Sequence, residues 1–268
     1  MNVGISLGQF MPGNSLIHRL DPRAKIALIA GYIALVFMVK EMLAFVVPAF
    51  ILLLALWIAN APATYVVSAL KPMRWLMVFM FVTKLFFTRI GDVWLSWWII
   101  LVTRDGVMQA LFITLRLVLL VCGTSVLTLT TSPIALTDGI EKLLSPLKKI
   151  RFPAHELAMM MTIALRFIPV LIEEADRIKK AQMARGADFE SGNLIVRVKS
   201  MIPILVPLFV SAFRRADELA MAMESRCYHG GEGRTRMREL RFRLSDMAAA
   251  LLMAAAIAAV AVLQRWLP

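Results

Sequence analysis

The chain reads as an all-α integral membrane protein with about five transmembrane helices and, before the last of them, a pair of long amphipathic cytoplasmic helices. Three observations predict this. Of 268 residues, 60% are hydrophobic and only 18% charged, whereas soluble domains run near 45–50% and about 25%. With a mean hydropathy of +0.74, too little polar surface remains to cover one soluble core of this size. Uncharged apolar runs approach the roughly 20 residues that a helix needs to cross a hydrocarbon layer about 30 Å thick. Finally, the 30 Lys and Arg exceed the 18 Asp and Glu by twelve, and 19 of those 30 fall within residues 131–245. The composition excludes a disordered chain, a collagen-like fibre and a simple cytosolic enzyme. It also sets nucleic acid aside as a partner, because a basic nucleic-acid binder needs its charge on a water-facing stripe.

The spans follow in order. Asp21-Pro22 opens the first, residues 26–39, with an N-cap residue followed by a helix-compatible proline. Residues 42–59 form an uncharged second span. The third, about residues 68–88, is interrupted by Lys71, Arg74 and Lys84; Lys84 lies near its end and can snorkel. Residues 94–103 are apolar but short and hold three of the six Trp (94, 97 and 98). They read as an interfacial or re-entrant segment, since Trp prefers the headgroup level. Residues 117–137 make the fourth span, with Arg116 close enough to its outer face to snorkel, and residues 247–264 make the fifth. The chain therefore divides into an N-terminal membrane region (1–130, four transmembrane helices), a cytoplasmic region of long helices (131–245) and a C-terminal transmembrane helix (246–268). The first 15 residues lack a basic n-region and an apolar h-region, so no cleavable signal peptide is expected. Placing the N-terminus in the cytoplasm leaves only Lys40, Arg89, Arg104 and Arg265 outside, in keeping with the positive-inside rule.

Little in the chain resembles a catalytic or metal centre. Cys122 lies in an apolar run and Cys227 in a polar one, so no disulfide is expected, and His18, His155 and His229 are scattered. No metal or other cofactor is expected. The spans hold no His, no paired carboxylates and no nucleophile–base pattern, which argues against a membrane-embedded enzyme. A stand-alone secondary transporter would show paired repeats of broken spans with acidic groups at mid-membrane. Here the repeat is cytoplasmic.

That repeat lies in residues 131–245. A short amphipathic helix over 140–150, closed by Pro153, ends in basic residues suited to anionic headgroups. Residues 154–186 begin apolar nearly all round and become amphipathic, with Ile168, Leu171, Ile172, Ala175, Ile178 and Gln182 on one face. Glu173, Glu174, Asp176, Arg177, Lys179 and Lys180 take the other, with Glu173–Arg177 and Asp176–Lys180 in the favourable i,i+4 order. Gly186 is the expected left-handed stop. A second helix, about 194–226, repeats the plan, and Pro203 and Pro207 should kink it. At an offset of 41, Ala175, Asp176, Ile178, Ala181 and Arg185 fall opposite Ala216, Asp217, Leu219, Ala222 and Arg226. In both copies the Arg sits at the last helical turn. Its charge there favours the negative end of the helix dipole, and its fork can pair a carboxylate bidentately on another protein. The run 234–243 alternates Arg with apolar residues just before the last span and reads as a membrane-surface anchor.

At these residues the chain resembles the transmembrane T component of energy-coupling factor (ECF) transporters, the vitamin-uptake branch of the ABC transporters. Gly8-Gln9-Phe10-Met11-Pro12-Gly13-Asn14-Ser15, followed by His18-Arg19-Leu20-Asp21-Pro22-Arg23-Ala24-Lys25, is similar to the family's opening signature. Ala184-Arg185-Gly186 matches the first of two Ala-Arg-Gly motifs through which such components dock onto their ATPases. The second stands as Ser225-Arg226-Cys227, which keeps the Arg and replaces both small flanking residues. The resemblance implies a non-catalytic subunit of the bacterial cytoplasmic membrane. Its partners would be two cytoplasmic ATPases and a small membrane protein, the S component, that captures the substrate. In keeping with this, no Gly-x-x-x-x-Gly-Lys-Ser/Thr loop is present; the nearest stretch, Gly192 to Lys199-Ser200, lacks the second Gly. Met159, Met160, Met161, Met201 and Phe209 suit an adaptable surface toward the S component, since Met repacks readily.

Overall fold

The computed structural model describes residues 10–88, 93–97, 100–146, 152–189, 193–230 and 240–266. The chain divides into two compact units, one comprising residues 8–139 and 240–268, the other residues 140–239.

In the first unit, α1 (Pro22–Met38) starts as the sequence predicts: the Asp21 carboxylate accepts from the Arg23 N–H, and Pro22 fills the first helical position. A 3₁₀ turn (Met42–Phe45) leads into α2 (Val46–Ala59), which ends at left-handed Asn60. The expected third span is a bent pair, α3 (Ala63–Leu70) and α4 (Arg74–Phe87). They meet at 59°, at Lys71-Pro72-Met73, where Pro72 has no N–H to give and disfavours helix in the residue before it. The apolar segment 94–103 takes the form of an antiparallel hairpin, β1 (Val93–Trp97) and β2 (Ile100–Thr103), with Trp97 opposite Ile100. Its β-branched and aromatic residues suit strands.

The fourth span is shifted from 117–137 to α5 (Arg104–Thr130). Thr103, fully buried, caps it by accepting from the Gly106 N–H and donates its hydroxyl to the Thr88 carbonyl. Arg116 is an interior residue rather than a boundary. Its guanidinium donates to the Val39 carbonyl at 2.6 Å and lies over the Phe112 ring at 4.6 Å, so the charge finds partners within the bundle. At the far end Ser132 opens α6 (Pro133–Leu144), which starts before the helix expected over 140–150 and includes its first residues. Residues 147–151, and residues 231–239 of the basic run, lie outside the described residues. α9 (Leu244–Trp266) completes the unit.

α5 is the axis: α1, α2, α3 and α4 all pack against it, and α9 closes on α1. The core gathers Tyr32, Leu35, Val36, Phe45, Leu119, Val126, Leu129 and Val260. Gly123 lets α1 approach, since a Cβ there would overlap the Tyr32 ring.

The second unit is built on α7 (Ala154–Ala184) and α8 (Leu194–Glu224), each 31 residues long. α7 runs through Pro169, and α8 continues unbroken through Pro203 and Pro207. Among the described residues, five helices are long and apolar enough to cross a membrane: Met42–Ala59, Arg104–Thr130, Ala154–Ala184, Ile195–Glu224 and Leu244–Trp266, with the bent pair as a sixth candidate. The total matches the expected count, but its membership differs. α7 and α8 qualify, while α1, at 17 residues, is short.

Candidate docking tips and their crossing

α7 and α8 pack on each other, and their burial carries the 41-residue repeat further than the sequence does. On α8 the half-buried residues are Ser200, Ile204, Leu208, Ser211, Ala212, Arg215, Leu219 and Met223. Shifted back by 41, every one lands on a half-buried residue of α7: Met159, Ile163, Phe167, Val170, Leu171, Glu174, Ile178 and Gln182. Apart from one adjacent pair in each helix, these positions recur at spacings of three and four, the seam of one helix face. Glu174, read from the sequence as a solvent-face residue, therefore belongs to the seam. It pairs with Arg215 at 3.6 Å, and the two occupy equivalent places in the repeat. The expected pairs Glu173–Arg177 and Asp176–Lys180 do not form within 4 Å.

The two helices also end alike. At the end of α7 the Gly186 N–H donates to the Met183 carbonyl and the Ala187 N–H to the Gln182 carbonyl, with Gly186 left-handed at φ +87°. At the end of α8 the Cys227 N–H donates to Glu224 and the Tyr228 N–H to Met223, with Cys227 at φ +56°. Both are Schellman caps, and position for position they stand 41 residues apart. Arg185 and Arg226 hold the same place in each, immediately before the left-handed residue. Both are exposed. Among the described residues neither guanidinium has a hydrogen-bond or ion-pair partner. Ala184, Gly186, Ser225 and Cys227 flank them, all exposed, and the Ser225 hydroxyl is turned back onto the Ala222 carbonyl. Cys227 thus adopts a backbone that glycine takes freely and other residues take at a cost of about 1–2 kcal/mol.

Of the apolar residues singled out in the sequence, Met159, Met160, Met161 and Met201 lie toward the opposite ends of the same helices and Phe209 lies at the middle of α8. Met160 and Met201 are equivalent in the repeat and about half exposed, at 54% and 55%. Met161 and Phe209 are exposed, and Met159 is half-buried in the seam. On α8, Met201, Ile202, Leu205, Val206, Phe209, Val210 and Phe213 are exposed and make an apolar face.

The N-terminal signature has a structural role that its sequence did not reveal. The His18 ring bridges the Ser15 hydroxyl (2.7 Å) and the Met11 carbonyl (3.1 Å). Lys25 spends its ammonium on the His18 and Thr130 carbonyls and the Thr131 hydroxyl. Asp246 at the head of α9 accepts from the Asp21 and Arg243 N–H groups, and Arg23 donates to the Leu240 carbonyl while lying over Phe242. The block thus ties the starts of α1 and α9 to the end of α5. Its partners lie 105 and 225 residues away in the chain, beyond any local sequence pattern.

A family model described as a cobalt transport protein (CbiQ) matches residues 13–237. The energy-coupling factor transporter transmembrane protein EcfT of Thermosediminibacter oceani is 53% identical over 245 residues, covering 91% of this chain and 92% of that protein. Its counterpart in Acidaminococcus fermentans is 53% identical over 266 residues, covering 99% and 98%. That of Bacillus subtilis is 47% identical over 234 residues, covering 87% and 88%.

Proposed function

We propose a coupling role for this chain, which belongs to the family of energy-coupling factor transporter transmembrane proteins and is thereby a multi-pass component of a multi-subunit transporter. In our reading it links ATP hydrolysis by two cytoplasmic ATPases to vitamin or micronutrient uptake through a membrane S component, and it performs no hydrolysis itself. Residues 131–245 lie on the cytoplasmic side of a bacterial membrane, the N-terminus is cytoplasmic, and the spans of 1–130 and 246–268 hold the chain in the bilayer.

The observation that carries this reading is the equivalence of the two tips. Each presents an exposed, partner-free arginine in the same Schellman cap. One such arginine is a common way to end a helix; two in matching geometry suit two copies of one kind of groove. An arginine fork entering a carboxylate-lined groove makes strong bidentate hydrogen bonds. Closure of the two ATPases around nucleotide would draw the tips together and move the far ends of α7 and α8. There Met159, Met160, Met161 and Met201, with Phe209 further along α8, repack against the S component. Of the five candidate spans α7 and α8 are the least apolar, which favours a place at the membrane surface over a lipid-filled crossing.

The test is charge reversal. Arg185→Glu with Arg226→Glu should lower uptake by roughly tenfold or more, the scale of losing paired charge contacts, and release the ATPases from the solubilised complex. Full uptake with full ATPase binding in the double variant would overturn the proposal.

A further inference from the structure

We infer that Glu174 and Arg215 form the pivot of the α7–α8 pair, positioning residues that hold the two tips in register; the inference rests on the docking role proposed above for Arg185 and Arg226. The ion pair joins equivalent points of the 41-residue repeat. Glu174 precedes Arg185 by eleven residues, and Arg215 precedes Arg226 by the same number. At 1.5 Å per residue each arm from pivot to tip is therefore about 16 Å long. Rotation about a point with equal arms moves both tips by equal arcs, the symmetric motion that two like partners impose.

The charge pattern agrees. Where two copies of a repeat cross at equivalent positions, identical charged residues would face each other and repel. At four of the eleven tip-proximal positions the residue is kept: Ala175 and Ala216, Asp176 and Asp217, Ala181 and Ala222, Arg185 and Arg226. Around the crossing the sign is reversed. Glu173, Glu174 and Arg177 on α7 stand opposite Arg214, Arg215 and Glu218 on α8. The reversal converts a repulsive self-crossing into an attractive one. The pair sits in the seam with side chains 29% and 38% exposed, enough water contact to open and re-form as the helices turn. Flanking it, Leu171 with Ala212 and Ile178 with Leu219 are half-buried on both sides, so the polar contact is centred in the packed stretch.

The pivot is tested in the assembled transporter. Nitroxides attached through an unnatural ketone side chain at positions 181 and 222 leave Cys227 untouched and report the separation of the tips. Glu174→Lys and Arg215→Glu, each alone, should broaden that distance distribution. Each should also lower substrate transported per ATP hydrolysed by roughly fivefold, the scale of coupling between directly contacting residues. The exchange variant Glu174→Lys/Arg215→Glu should restore both readouts, and the isosteric Glu174→Gln should fall between. ATPase co-purification should stay at the parental level throughout, because the tips are intact. Single variants that keep the parental distances and ratio, or an exchange variant as defective as either single, would overturn the pivot. Failure of the unmodified chain to bind ATPases would remove the docking reading instead, while the distance measurement on the chain alone still decides the pivot.

Discussion

The bundle around α5 and the α7–α8 pair are both built from apolar helices, yet they bury them differently. A third of the apolar stretch of α5 is covered within the chain, against 6% for α7 and none for α8. The bundle closes its helix ends with long-range polar contacts. Arg116 and Gln264 take the last carbonyls of α1, and Asp246 and Lys25 tie its start to α9 and α5. The α7–α8 pair ends instead in two caps satisfied by their own backbone, leaving the arginine side chains unspent. A buried polar network is costly to leave half-satisfied and so fixes one arrangement. A seam with open apolar faces permits several. In the coupling role proposed above, the first region serves as the frame and the second as the moving part.

The contrast can be broken at its polar contacts, and the largest effect is expected in the frame. Asp246→Ala leaves the buried N–H of Asp21 and the part-buried N–H of Arg243 without their acceptor. At about 1–3 kcal/mol per orphaned group, the midpoint of thermal unfolding in detergent should fall by roughly 5–10 °C. An unchanged midpoint would mean that the clamp is not holding the bundle. Next comes Arg116→Leu, which frees the Val39 carbonyl. It should cost about 1–2 kcal/mol, read in the same melting experiment, with hydrogen exchange rising at the end of α1.

Smaller effects sharpen the comparison of the two tips. Cys227→Gly should stabilise the α8 cap by about 1 kcal/mol, and Gly186→Ala should weaken the α7 cap by a similar amount, because only the left-handed position differs. Slower exchange of the Tyr228 amide in the first variant and faster exchange of the Ala187 amide in the second would bear this out. The smallest effect concerns pH. Burial, helped by the nearby Lys25 charge and opposed by the Met11 carbonyl, holds His18 below the usual histidine value of 6.5. Its neutral form suits the site, with Nε2–H donating to Met11 and Nδ1 accepting from Ser15. The unfolded chain then takes up the proton first, so stability is full above about pH 6.5 and declines as the pH falls below it. His18→Gln should flatten that slope in melting curves between pH 5 and 7.5. An equal slope in both proteins would place the titration elsewhere.

Local signals announced the helices well and their partners poorly. The Asp21-Pro22 start of α1, the Met42–Ala59 run and the tip at Gly186 follow from capping chemistry and hydropathy, and the structure has them where those rules put them. The start of α5 was hidden because Arg104, Asp105 and Arg116 made the sequence look too polar to span, and only tertiary contact shows where Arg116 finds its carbonyl and rings. Glu174 was hidden for a related reason. Its i,i+4 neighbours suggested a solvated face, and nothing local revealed a cation arriving from another helix. The second tip was visible as an arginine at the right spacing. That Ser225-Arg226-Cys227 would fold like Ala184-Arg185-Gly186 could not be read from its residues, because Cys227 does not advertise a left-handed backbone.

The central claim is that the two tips are equivalent docking points, and native mass spectrometry of the purified transporter tests it most directly by counting ATPase subunits per chain. The unmodified protein should carry two, Arg185→Glu and Arg226→Glu should each be left with at most one, and the double variant with none. Two ATPases retained by the double variant would contradict the account.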